Sequence, residues 1–470
     1  MMRWSLLAVY PIAAVCSVWA APAPPEGPRQ IRLAPQSTAK QVGAFRYRLL
    51  PDPRDRTPGN AAPLWRLASD AFREAEHKMT NQEWDWVGIP LDKLPRKEVH
   101  DVLNRYTAAF RLARQAACRE HCDWELPPLT FQSIQVYLPM AHLQRCREVA
   151  NLLSIQFRLQ LVEGRFDDAA ETLQTSFALA RHLCEGNMLI EILVGIAIDA
   201  IMFNRVEEWV QTSGSPNLYW ALTALPRPLG NIRHTVEYEM NSLYRSYPGL
   251  HRIHRETLTA QEADSLANEV LAISVKMLGE KAKEVGALEK GKAAMLQATM
   301  YPQARKRLLA WGRSAKEIDA MPKAQVILLG YAGQWDRARD DMYKALIVPT
   351  WQGLPLMEAA LKEHRSTDNV LLTLLLPTIT KTWVASVRNE RQLAGLRCAE
   401  ALRLYAAAHE GKPPKKWSDI TAVPLPIDPV AGKGFDGFYQ VTDGRGILEI
   451  PPPPPLGIPS LGRRYELAPR

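Results

Sequence analysis

At 470 residues, 47% of them hydrophobic, the chain is long enough for a large buried core and for two or three domains. Its net charge of +8 is spread out, with no arginine-rich block, which argues against a nucleic-acid-binding protein. The densest basic segment, RKRLLAWGR (Arg305–Arg313), reads as a solvated helix face.

The first twenty residues carry one cation, Arg3, and then the apolar run LLAVYPIAAVCSVWA. Val18 and Ala20 meet the small-residue rule for cleavage before Ala21, so an export signal is expected over 1–20 and an extracytoplasmic location with it. The run is too short for a good membrane anchor. Residues 21–63 are rich in Pro, Gly and Arg and predict an extended, proline-rich leader, with FRYRLLP (Phe45–Pro51) as one short ordered piece.

From Leu64 the apolar spacing becomes helical, in LWRLASDAFREAEHKM and then RKEVHDVLNRYTAAFRLARQAA. CDWELPPLTFQSIQVYLP (Cys122–Pro139) reads as a loop. Leu152–Leu183 has the best pattern in the chain, two helices broken at Gly164, with Asp167 and Asp168 suited to the first turn of the second. Met188–Phe203 is apolar but only sixteen residues long and holds Glu191 and Asp199, so a buried core helix is expected. Glu191, Gly195 and Asp199 share one helix face. They could act as an acid–base pair or form a polar edge paired with a neighbour.

SPNLYWALTALPRPL (Ser215–Leu229) places Tyr219 and Trp220 between proline punctuation. Such aromatics form a packed corner or a platform for a peptide or sugar, and the two are the candidate binding residues. Residues 230–300 read as helical. Val370–Ala408 predicts one long helix, bent at Pro377, and Gly411 with two prolines ends it. Strand-like FDGFYQV and GILEI follow, with a turn at Thr442–Gly446, and then the proline run Pro451–Pro455.

Chemistry-bearing motifs are few. GKGFDG (Gly432–Gly437) formally matches GxGxxG but opens no helix, and STAK (Ser37–Lys40) matches SxxK within the leader. Cys118, His121, Cys122, His142 and Cys146 could supply zinc ligands, but not at the usual spacings. In an exported chain a disulfide is the better default. Folding back at Gly164 brings Cys146 and Cys184 to one end of an antiparallel pair, so they are the candidate bridge; Cys122–Cys146 and Cys118–Cys122 are the competing pairings.

AQVILLGYAGQWDRARDDMYKAL (Ala324–Leu346) repeats the pattern around Gly164, with Gly333, Trp335, Ala338 and Ala345 in place of Gly164, Phe166, Ala169 and Ser176. Glycine, an aromatic two later and alanine five later resemble the turn of tetratricopeptide-like hairpins. GNAAPLW, CDWELP and PNLYWALTALPRPL are similar to a group of uncharacterised exported helical proteins of planctomycete bacteria, over roughly residues 40 to 350. That likeness implies a location and a helical fold, and no activity. The tail LRLYAAAHEGKPPKKWSDI…IDPVAGKGFDGFYQV resembles type II secretion pseudopilins, with Tyr405, Gly411, Pro413, Asp428, Pro429 and Tyr439 at matching places. It implies a shared small module; the prepilin cleavage motif is absent.

The expectation is a mostly α protein, a helical-hairpin array or bundle with a small β-containing C-terminal module. Its domains would be a helical one over 64–365 and, over 366–470, a long helix with the β module and tail. The expected function is a non-catalytic scaffold binding a protein or peptide in the cell envelope, with no cofactor, metal, nucleic acid or membrane anchor after signal cleavage. The alternatives are a hydrolase-type enzyme around Glu191, Asp199 and His142, and a component of a secretion or pilus-like assembly.

Overall fold

The computed structural model describes residues 27–34, 45–74, 79–126, 130, 141–277, 292–364, 369–453 and 462–468. The export signal expected over 1–20 lies outside the described residues, as does STAK. The fold is mostly α, about 65% helical, with a small four-stranded sheet. The elements used below are helices α1 (Ala62–Glu74), α2 (Thr107–Ala117), α3 (Ala141–Val162), α4 (Phe166–Cys184), α5 (Leu189–Gln211), α6 (Lys292–Ala310), α7 (Lys323–Ile347) and α8 (Val370–Ala408). The strands are β1 (Arg29–Leu33), β2 (Thr57–Asn60), β3 (Arg119–His121), β4 (Tyr439–Thr442), β5 (Arg445–Ile450) and β6 (Arg463–Leu467). Among the described residues no helix is long and apolar enough to cross a membrane.

The chain divides into two compact units. The larger gathers residues 21–126, 140–232 and 382–470, and the smaller is built mainly from 233–381. This differs from the expected boundary near 365, because the C-terminal sheet shares a core with α3–α5 rather than forming a module of its own.

In the larger unit α3, α4 and α5 form the central layer. Gly164 turns the chain between the first two at φ +70°, and the Arg165 N–H closes on the Gln160 carbonyl at 2.9 Å, the glycine-dependent helix stop expected there. One face of this layer packs Leu152, Leu179 and Val194 against Trp65, Ala109 and Ala113 of α1 and α2. Its other face packs Phe157, Phe177, Phe203 and Trp209 against Leu396, Leu402, Tyr465 and Leu467 of α8 and the sheet. Buried on both sides, α5 is apolar nearly all round, which is why its sequence resembles a membrane span.

The sheet runs β1-β6-β5-β4, with β1 parallel to β6 and the other pairs antiparallel. Asp443 and Gly444, at φ +52° and +73°, make the two-residue turn between β4 and β5. Strand β1 corrects the expected leader over 21–63. Ile31 and Leu33 alternate inward and are buried, and Leu49 and the Ala61–Ala62 pair are buried as well. Gln174 Nε2 donates to the Arg48 and Leu50 carbonyls at 3.2 and 3.1 Å, so FRYRLLP is docked. Short alternation inside proline-rich sequence concealed a strand whose partner, β6, lies more than four hundred residues away.

In the smaller unit the second hairpin is also corrected. Helix α7 runs without a break from Lys323 to Ile347, straight through Gly333. A Cβ at Gly333 would lie 2.4 Å from the Trp311 ring, and one at Gly330 would lie 2.8 Å from Ala304 of α6. These glycines admit close packing rather than a turn. Trp335 is wholly buried, and its Nε1–H donates to the Met240 carbonyl at 2.6 Å.

Candidate functional site

Asn217 accepts the Tyr219 N–H at 2.9 Å and donates to the Glu400 carboxylate at 2.6 Å, which tucks Tyr219 inward. Tyr219 is wholly buried, its hydroxyl donates to the Pro424 carbonyl, and Arg397 lies over its ring at 5.5 Å. Trp220 meets Tyr219 edge-on at 5.3 Å and is half-buried. Tyr219 therefore packs as a corner residue, the first of the two arrangements expected for the pair, with Trp220 half-exposed beside it.

Glu191 accepts the Met188 N–H at 2.9 Å and caps α5. Asp199 is buried, and burial pushes its carboxyl well above the usual range. Gly195, between them, lets α5 approach α4: a Cβ there would lie 2.6 Å from Cys184 Sγ and 2.8 Å from the Ala180 carbonyl. His142 packs at a tilt on Trp124 at 5.4 Å and is lowered to about 4, chiefly by burial and then by Arg66 and Arg145. Glu191 is thus a helix cap, Asp199 a core carboxyl and His142 a ring packed on a tryptophan.

The described cysteines, Cys118, Cys122, Cys146, Cys184 and Cys398, are free thiols. The Cys146–Cys184 bridge is absent because Cys184 points its sulfur at α5 and at Gly230, where a Cβ would lie 3.0 Å away. Among the described residues no group of three or more His, Cys, Asp or Glu could hold a metal ion.

Two features went unseen in the sequence. The first is a cavity of about 620 Å³ at the end of the sheet, lined by Pro28, Phe438, Tyr439, Gln440, Glu449 and Pro451 among others. Its walls are fixed. The Tyr439 hydroxyl donates to the Pro414 carbonyl at 2.7 Å, and its ring packs on Trp417 at 5.4 Å. Arg391 lies 5.9 Å over the Phe438 ring, and Arg464 pairs with Glu449 at 2.6 Å. Gln440 is left exposed at the rim, on an edge strand. Aromatic and proline walls beside a strand that is an edge among the described residues suit an extended peptide. The sequence signal was FDGFYQV followed by the proline run, but these are brought together only by the sheet's register.

The second lies in the smaller unit. The Tyr244 hydroxyl donates to Asp336 at 2.6 Å and lies 3.4 Å from His254 Nε2, while Arg339 pairs with Asp336 at 3.0 Å. His251 packs at a tilt against the Tyr244 ring at 4.9 Å. Burial, then Asp336, raises the Tyr244 hydroxyl above its usual range; burial lowers His254. The cluster joins a tyrosine hydroxyl, a carboxylate and a histidine ring within hydrogen-bonding reach.

No protein-family model matches the chain, and neither a curated protein nor a solved structure matches it.

Proposed function

We propose that this chain is an exported, non-catalytic helical scaffold that binds a protein or peptide partner in the cell envelope through the groove at the end of its C-terminal sheet. The observation that carries this reading is the groove itself, about 620 Å³ with aromatic and proline walls, in which Tyr439 is held by its hydrogen bond to Pro414 and its packing on Trp417. Cavities of that size with apolar walls and a few polar groups are the usual form of a binding site. Export is supported by the composition of residues 1–20, and the pseudopilin-like tail supports an envelope setting.

The experiment is site-specific photo-crosslinking. A benzophenone side chain at exposed Gln440 should capture a discrete partner from envelope extracts, and the same group at exposed Lys97 should not. Equal capture at both positions, or none at Gln440, refutes the groove as the binding surface. A catalytic reading has one observation in its favour, the Tyr244–His254–Asp336 cluster. Hydrolytic turnover of an ester or peptide substrate panel, lost in Asp336→Asn, would favour it over the scaffold.

A further inference from the structure

The two edges of the C-terminal sheet are built differently. Strand β1, at one edge, carries Arg29 and Arg32, and Arg29 is engaged by Glu207 of α5 at 3.1 Å. Strand β4, at the other edge among the described residues, reads YQVT, with no lysine, proline or bulge to blunt it. Val441, 42% exposed, leaves an apolar side chain on this open edge. The hairpin decides which backbone groups of β4 are spare. Asp443 and Gly444 form a two-residue turn, so Thr442 and Arg445 exchange both of their bonds as the closing pair. Pairs alternate from there. Gln440 bonds to Ile447, while Tyr439 and Val441 turn their N–H and C=O groups outward. Tyr439 also lines the groove, so the spare backbone groups begin at the groove wall.

Charge marks both ends of this edge. Asp436 and Asp443 are exposed on either side of β4. The ion pairs nearby, Arg445 with Glu466 and Arg464 with Glu449, use neither carboxylate. Lys433, the nearest cation before β4 in the chain, lies three residues outside Asp436.

We propose, resting on the groove as the binding surface, that the partner is held by strand addition: an extended segment pairs antiparallel with β4 as a fifth strand, with apolar residues opposite Tyr439 and Val441 and a basic residue beyond each end. Each of those apolar residues exchanges two main-chain bonds with its opposite number and projects its side chain on the face of Tyr439. The basic ends meet Asp436 and Asp443, which selects against acidic segments. A second copy of this chain suits the edge less well. Antiparallel pairing of two copies about Gln440 would set Asp443 beside the other copy's Asp436, like charge against like.

The probe is a fluorescein-labelled heptapeptide, lysine–threonine–valine–threonine–valine–threonine–lysine, titrated with the full chain and followed by anisotropy. Saturable binding is expected. N-methylation of both valines removes the donors that face β4 and should weaken binding by about tenfold or more. Glutamates in place of both lysines should weaken it severalfold, as should Asp443→Asn, a change the turn accommodates. Val441→Pro removes an outward N–H from the edge and should abolish binding. Circular dichroism checks that this variant is folded, and the N-methylated peptide makes the same test without altering the protein. No binding at millimolar peptide, or equal binding of the plain and N-methylated peptides, overturns strand addition. If the Gln440 crosslink still captures its partner in that case, the groove stands and only this mode of recognition falls. A dimer in sedimentation velocity that Val441→Pro dissociates would assign the edge to a second copy and overturn the proposal as well.

Discussion

Asp428 is expected to be among the most costly positions in the larger unit to truncate. Its carboxylate is wholly buried and accepts from Arg391 Nε at 3.1 Å and from Nη2 at 2.8 Å. It also accepts the Val430 N–H at 2.9 Å. The other guanidinium nitrogen of Arg391 donates to the Pro451 carbonyl at 2.6 Å, so one side chain of α8 holds both the 428–433 loop and the end of β5. Asp428→Ala leaves the Arg391 charge buried with a single carbonyl for company. Breaking a buried pair by removing one partner costs roughly 3–5 kcal/mol. At about 2 °C or more per kcal/mol for a large domain, the melting temperature should fall by at least about 6 °C. Removing both charges avoids most of that penalty. Asp428→Leu with Arg391→Met should stay about 1–2 kcal/mol below wild type, mainly because the Val430 N–H has lost its acceptor. Calorimetry of wild type, both single variants and the double variant gives the coupling directly. An Asp428→Ala protein melting within 2 °C of wild type would show that Arg391 needs no counter-ion, and the reasoning would fail.

Gly333→Ala should destabilise the smaller unit by about 1–3 kcal/mol through overpacking against Trp311, despite the better helix propensity of alanine; a raised melting temperature would contradict the close approach. Trp335→Ala should cost about 3–5 kcal/mol, and Trp335→Phe about 1–3 for the stranded Met240 carbonyl, read from urea titrations of each variant. Acid should weaken the larger unit through His182, which burial, then Arg181, lowers to about 3 from 6.5: this stability is full above pH 6.5 and drains as pH falls toward 3, by up to about 1.4 kcal/mol per unit. Glu390 works in the opposite sense, because burial raises it to about 7 from 4.5 and stability is lost as pH rises through that window. Urea midpoints between pH 4.5 and 7.5 should tilt one way in His182→Gln and the other in Glu390→Gln, and identical pH profiles would show that neither group is shifted.

Local information explains what could be read from the sequence. Gly164 was legible as a turn because its stop signal and the first-turn aspartates lie within five residues of each other. Gly333 carries the same local pattern, glycine, aromatic two later, alanine five later, and yet α7 passes straight through it. The deciding group is the Trp311 ring, twenty-two residues upstream, and no local pattern carries that neighbour. Strand β1 was missed for the same reason, since five alternating residues among prolines mean little until β6 arrives beside them. Asp428–Pro429 drew attention as a motif, but Arg391 sat inside a helix judged by its apolar period. The groove was the least legible feature, because Pro28, Tyr439 and Pro451 meet only through the order of a sheet assembled from both ends of the chain.

The charges within α8 bear on why that groove can be rigid. Arg391 pairs with Asp428, Gln392 donates to Glu207 at 2.8 Å, and Arg403 pairs with Glu400 at 2.8 Å while donating to Ser215. Each of these groups is buried, and an apolar helix of the same length would bury more cheaply. Apolar surface alone would tolerate a slip of one turn along α8, because Leu396 and Leu402 could find comparable neighbours. The charges would not. A slip of about 5.4 Å would strip Arg391 of Asp428 and Arg403 of Ser215 together, leaving Arg403 only Glu400 of its own helix. We therefore read these pairs as fixing register. The same Arg391 that fixes the helix also lies over Phe438 and holds Pro451, both in the groove wall. Register and groove shape are thus set by one side chain. A variant that frees α8 to shift should blur the Gln440 crosslink before it unfolds the unit, and a sharp crosslink in the Asp428→Leu, Arg391→Met protein would show that the sheet holds the groove without help from the helix.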